Sequence, residues 1–284
     1  DPSVVTGLDL RMARMMDPPQ IAQAPVFTPI YTAAKVPAIL RILVAHGAEP
    51  AQFSGASFAA AVGRDQVAPP PVTRDVFAAG YRVRFGQANP ERADPLFWQA
   101  QMRSCHSSEA AKAASVGRDL RTQGPVWSFD REGRSATRLP SGDWLLIGGH
   151  QGTPDDPNYA IHNDVTIVSP TGAIRHFVYP PSIFPPTSFH TATCVDSGVW
   201  IIGGRGYRRD GVAGVTSVTW LSLDDFSMNP IRTFSQKPGA IYGHAAHLID
   251  GGIYIAGGRS YPDGIARRGG LILDLYSLAW HPLN

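Results

Sequence analysis

The sequence predicts a mainly β protein built from antiparallel four-stranded units, with an α-helical segment ahead of them, and three observations carry that expectation. Glycine doublets at Gly148-Gly149, Gly203-Gly204 and Gly257-Gly258 recur at spacings of 55 and 54 residues. Each doublet ends an apolar run of strand length, "WLLI", "VWII" or "IYIA". The leading segment instead carries apolar residues at helical spacing, with Ile39, Leu40, Ile42 and Leu43 followed by the stop signal Gly47. Self-similarity over about fifty residues points to stacked sheets, none of which buries its own faces alone.

In chain order, Thr28 to Pro50 reads as two short helices with a tight connection. "VAPPPVTRD", from Val67 to Asp75, is a break, and "NPERADPLFWQAQMRSC" and "SSEAAKAAS" read as two further helices. Ser107 or Ser108 suits the N-cap of the last helix, and Glu109 suits its first turn. The expected organisation is a helical segment over 1–118, a linker over 119–124 and sheet units over 125–284.

Within the units, Arg134, His190 and His244 open the equivalent stretches "RSATRLPSG", "HTATCVDSG" and "HAAHLIDGG". After each doublet come a polar loop and a strand-like run, "NDVTIVSP", "TSVTWLSL" or "GLILDLYS". A closing strand follows, in "AIRHFVYP", "PIRTF" and "LAWHPLN". This order of a strand, a glycine doublet and a later aromatic pair resembles the kelch repeat of β-propellers. Tyr276 and Trp280 match the aromatic pair in the third unit, Phe226 and Ile231 stand near those positions in the second, and the first has no aromatic residue there. Glycine in the doublet admits φ > 0 and close approach of a neighbouring side chain. Three units and one extra strand in "GPVWSFDREG" fall short of the four or more blades of a propeller. The ring is therefore expected to be incomplete, to be plugged by the helical half, or to lead two partial rings to self-associate.

The helical hairpin resembles an ankyrin repeat, "TPIYTAA" matching the helix-opening motif with Tyr31 in place of its histidine, and "HGAEP" matching the closing turn. The alternative reading is an ordinary helical hairpin. An ankyrin-like segment before kelch-like units resembles a group of uncharacterised bacterial proteins, and that resemblance implies no activity.

Composition limits the functions to consider. Net charge is +2, and only Lys35, Lys112 and Lys237 among the 25 basic residues are lysine, so no basic field favours nucleic acid. Cys105 and Cys194 are expected as free thiols in a reducing compartment. No apolar run approaches the roughly 18 residues of a membrane span, and a soluble, cytoplasmic protein is expected. The start at Asp1 is expected to mark a fragment or a trimmed form.

No catalytic motif is visible. "GASFA" at Gly55 lacks the second glycine of a nucleophile elbow, and "GRGYRRDG" leads into a strand instead of a helix N-terminus. His244 and His247, an odd number of residues apart on a strand, face opposite ways and do not share a metal. No cofactor or metal is expected. Some kelch-like propellers are enzymes, so the resemblance also implies an alternative, a propeller-centre enzyme acting on a sugar acid or other small molecule.

Two residue sets remain. Arg134, His190 and His244 either ring a channel at the propeller axis or tie each unit to the next by hydrogen bonds. After the doublets stand His150 with Asp155, Asp156 and Tyr159; Arg205 with Tyr207, Arg208 and Arg209; and Arg259 with Tyr261, Arg267 and Arg268. Loops on a rigid scaffold that carry arginine and tyrosine suit a protein or peptide partner, an acidic one best of all. The expected function is thus a protein-binding or scaffolding module that uses these loops and the ankyrin-like surface.

Overall fold

Alternation along the apolar runs decides how the chain layers. The computed structural model describes residues 72–117, 121–207, 215–235 and 237–282. Thr28 to Pro50, the stretch expected to resemble an ankyrin repeat, and the loop residues Arg208 and Arg209 lie outside the described residues. Three sheets, antiparallel except for one edge pair in the third, stack face to face, and no barrel closes among the described residues. Strand β3 (Trp144–Ile147) of the first sheet is buried on both faces. Trp144 and Leu146 pack against the helices, while Leu145 and Ile147 pack against the second sheet. In β9 (Gly198–Ile202), Val199 and Ile201 meet the first sheet, while Trp200 and Ile202 meet the third. The period-2 geometry of a strand thus turns an unbroken apolar run into two contact faces.

The helices are α1 (Arg74–Gly80), α2 (Leu96–Ser104) and α3 (Ser108–Val116). Ser107 caps α3 by accepting from Ala110 N at 3.3 Å, as the sequence predicts, and Glu109 lies in the first turn. Phe77, Phe97, Trp98 and Met102 cover the outer face of the first sheet. Trp98 stacks on Trp127 with ring centroids 4.6 Å apart. Among the described residues no helix is long and apolar enough to cross a membrane.

The first sheet has the order β1-β7-β6-β3-β2, with β2 (Ser135–Arg138), β6 (Val165–Val168) and β7 (Ile174–Val178) as expected. Its fifth strand, β1 (Glu91–Arg92), comes from the stretch expected to be helical, and pairs with Val178 and Phe177. Just before it, the Asn89 side chain donates to the Met228 carbonyl at 2.9 Å and accepts from Met228 N at 2.8 Å, so this stretch also reaches the second sheet. A helix-rich reading misses β1 because two residues are too few to show any period.

The second sheet is ordered β11-β10-β9-β8, with β8 (Thr191–Val195), β10 (Val218–Ser222) and β11 (Met228–Pro230). Its closing strand falls earlier than "PIRTF" predicts. Phe234–Ser235, strand β12, crosses instead to the third sheet and pairs in parallel with β16 (Ala279–Pro282). The third sheet, β12-β16-β15-β14-β13, is completed by β13 (Ile241–Ile249), β14 (Gly252–Ser260) and β15 (Gly270–Asp274). Trp280 is buried in its core, whereas Tyr276, its partner in the expected aromatic pair, is 99 % exposed. A small hairpin, β4 (His150–Gln151) with β5 (Ala160–Ile161), follows the first doublet.

Candidate functional site

The strand-opening polar residues and the glycine doublets turn out to be two halves of one contact. An added Cβ on Gly149 would lie 2.8 Å from Arg134 Cβ, one on Gly204 would lie 3.1 Å from His190 Cβ, and one on Gly258 would lie 2.9 Å from His244 Cβ. The first glycines receive the next sheet's imidazole: a Cβ on Gly148 would be 3.4 Å from His190 Cε1, and one on Gly203 would be 2.8 Å from His244 Cε1. His190 Nε2 shares a 2.9 Å hydrogen bond with Ser135 Oγ, and His244 Nε2 shares one of 3.0 Å with Thr191 Oγ1. The two histidines therefore bridge neighbouring sheets. Arg134 is buried, donates to the Phe129 carbonyl at 2.7 Å and lies over the Phe129 ring. Burial, then the nearby Arg131, pulls its pKa down to about 10.

Burial likewise pushes His190 down to about 3 and His244 down to about 4, so both are neutral at pH 7. A histidine whose folded value lies below its ordinary 6.5 gives its full stabilisation above that pH. The stabilisation is lost as pH falls towards the folded value, because the unfolded chain takes up the proton first. Stability should decline from about pH 6.5 downward. The double change His190→Gln with His244→Gln should lower stability at pH 7.5 and also flatten this decline. Urea melts between pH 7.5 and 4.5 measure both, and an unaltered slope would exclude the two histidines as its source.

The residues after the doublets divide between scaffold and cleft. Tyr207 Oη accepts from Ile161 N at 2.8 Å, and Tyr261 Oη donates to the Gly206 carbonyl at 3.3 Å, so each repeated tyrosine fastens its loop to the preceding one. Arg259 lies on β14 and not in a loop, because β13 runs alongside and continues pairing through Tyr242. Its Nη1 donates to the Gly264 carbonyl at 2.9 Å. Arg268 is exposed.

Arg205 is placed differently. Its guanidinium lies 4.7 Å from the Phe189 ring centre and 5.6 Å from that of Tyr242, half-exposed, with no carboxylate in ion-pair range among the described residues. Phe189, which the sequence reading passed over, holds this arrangement. It stands at the position equivalent to Gly133 and Gly243, each one residue before a strand-opening residue, and all three have φ near 60° (63°, 59° and 63° in chain order). Its N–H bonds the Gly133 carbonyl and its carbonyl takes the Gly243 N–H, which fixes the strained backbone. His150 and Tyr242 flank Phe189 at 5.4 and 6.4 Å between ring centres. Tyr159 packs edge-on to both His150 and Tyr207.

Arg205 and His150 both line a cleft of about 490 Å³ between the N-terminal turn of α3 and the loops of the first sheet. Ser108, Glu132, Gln151 and Asp156 are among its other walls. His150 is 6 % exposed and its Nδ1 has no hydrogen-bond partner among the described residues. Burial, then Arg205, lowers its pKa, while Glu132, with Oε2 3.8 Å from Nε2, pulls the other way.

Beneath the cleft lies a polar cluster that the sequence reading missed. Arg131 grips Asp164 through Nη1 at 2.5 Å and Nη2 at 2.8 Å, donates to the Gly148 carbonyl and lies over the Trp127 ring. Trp127 Nε1 also donates to Asp164. His162 and His176 stand beside the same carboxylate, and burial above all depresses both. The available signal was a charge opening "DVTIV", a run apolar enough to be buried on both faces, because such a charge requires a partner. Among the described residues no group of His, Cys, Asp and Glu side chains is placed to hold a metal. The sequence matches no protein-family model and no curated protein.

Proposed function

We propose that the chain is a protein-binding module whose sheets are kelch-type blades of a partial propeller, and that it grips an acidic peptide segment through Arg205. One observation carries the reading: a guanidinium oriented by two aromatic rings, facing a cleft and lacking a counter-ion among the described residues. Arginine fixed in this way presents its donor fork to a carboxylate with little further ordering. A volume of about 490 Å³ falls within the range of ligand clefts. Arg259 and Arg268, both exposed, offer further positive charge to the same partner, and Tyr159 offers a ring beside His150.

The test is an array of immobilised hexapeptides carrying one to three acidic residues. Arg205→Ala should weaken capture at least about tenfold, as for an arginine hot spot. Arg205→Lys should not restore it, because an ammonium neither forks nor stacks as guanidinium does. Equal capture by the wild-type and alanine proteins would overturn the reading.

A further inference from the structure

The cleft holds more negative charge than a purely acidic ligand tolerates. Its lining includes the carboxylates of Glu109, Asp130, Glu132 and Asp156 against the guanidiniums of Arg131 and Arg205. Arg131 is already neutralised by Asp164 underneath, in a pair with side chains 4 % and 6 % exposed. Among the described residues of the lining, Arg205 is therefore the guanidinium left to meet a ligand, and the carboxylates of Glu109, Glu132 and Asp156 share the space with it. A lone anion drawn to Arg205 would be repelled by these carboxylates. Glu109 and Glu132 are exposed, with the Glu132 side chain 78 % accessible, and so are free to turn towards a bound cation. Asp156 accepts from Asn158 N at 2.7 Å through Oδ1, which fixes its position. His150 also lines the cleft, with its Nδ1 buried and without a hydrogen-bond partner among the described residues.

Building on the anchor role of Arg205, we infer that the cleft takes a mixed-charge peptide segment, its carboxylate on Arg205 and a nearby ammonium or guanidinium against Glu132, Glu109 and Asp156. The same carboxylates that repel an all-acidic peptide then attract the second group, so selectivity comes from rejection as much as from contact.

Calorimetry on the full chain with capped tripeptides tests this. The probes are Asp-Gly-Lys, Asp-Gly-Gln and Asn-Gly-Lys, each also in reversed order. The Asp and Lys peptide should bind about five- to tenfold more tightly than the Asp and Gln peptide, and raised salt should narrow the gap. Glu109→Gln with Glu132→Gln, both at exposed positions, should close the gap by weakening the first and strengthening the second. If the Asp and Gln peptide binds as tightly as the Asp and Lys peptide, and still through Arg205, the inference falls and the anion-binding reading stands. If the Asn and Lys peptide binds as tightly as the Asp and Lys one, or if no peptide binding depends on Arg205, both fall.

Discussion

Gly204→Val should cost the fold about 3 kcal/mol and lower the thermal midpoint by roughly 6–10 °C. Gly204 has φ +103°, a conformation that a β-branched residue reaches only with strain. The added side chain would also run into Thr187 Oγ1 and lie 3.1 Å from His190 Cβ, in the seam where the first and second sheets meet. Neither neighbour can retreat easily. His190 is tied to Ser135, and the backbone around Thr187 is bonded on both sides, its N–H to the His162 carbonyl and its own carbonyl to Gly149 N. Gly172 separates the two causes. It has φ +83° and nothing within 4 Å of the Cβ position, so Gly172→Ala carries backbone strain alone, about 1 kcal/mol. Calorimetric melting of both variants checks the argument, and a Gly204→Val midpoint no lower than that of Gly172→Ala would refute the packing half of it.

Asp164→Ala should be at least as damaging, at about 3–5 kcal/mol, because it leaves the buried Arg131 guanidinium without its carboxylate. Replacing both partners with apolar residues, Arg131→Met with Asp164→Leu, should cost clearly less than the sum of the single changes, since no orphaned charge remains. Urea unfolding of the three proteins at pH 7.5 gives the comparison, and additive losses would mean that the pair is not coupled. Acid should expose the same cluster. Burial alone would raise the Asp164 pKa, but Arg131 and the neighbouring histidines outweigh it and hold the carboxyl below its ordinary range. A depressed carboxylate stabilises above its unfolded value, near 3.9, and loses that contribution as pH falls through the folded one. His176, pushed down to about 4, loses its contribution between about pH 6.5 and that value. Both terms act in one direction, so stability decreases continuously on acidification.

The layered strands could be read in advance because alternation needs only local sequence: "WLLI", "VWII" and "IYIA" each place residues on two faces by period alone. The doublets could be read because both glycines of each pair adopt positive φ, and because the next sheet approaches Gly148 and Gly203 too closely for a side chain. The site could be read only in part. Arg205 and His150 stand in stretches marked by the doublets, but the rings that orient Arg205 come from two other segments, Phe189 before β8 and Tyr242 in β13. Nothing local distinguishes an arginine stacked on distant rings from one solvated in a loop. The same holds for Arg131 and Asp164, 33 residues apart in sequence and in hydrogen-bond contact. Tyr207 and Tyr261 look alike in sequence as binding candidates, yet their hydroxyls are spent on backbone groups of the preceding loop.

The small strand β1 bears on where this chain can be cut. Glu91 and Arg92 cap the outer edge of the first sheet, Asn89 clasps Met228 of the second, and Trp98 roofs Trp127. A shortened protein beginning at Pro125 would keep every strand from β2 onward, but it would bare the backbone donors and acceptors of β7 and the apolar face under α2. An uncapped edge beside an uncovered apolar face is a template for strand addition between molecules. The described helices and β1 thus shield that edge and that face, and an expression boundary drawn between them and the sheets is expected to lower the soluble yield.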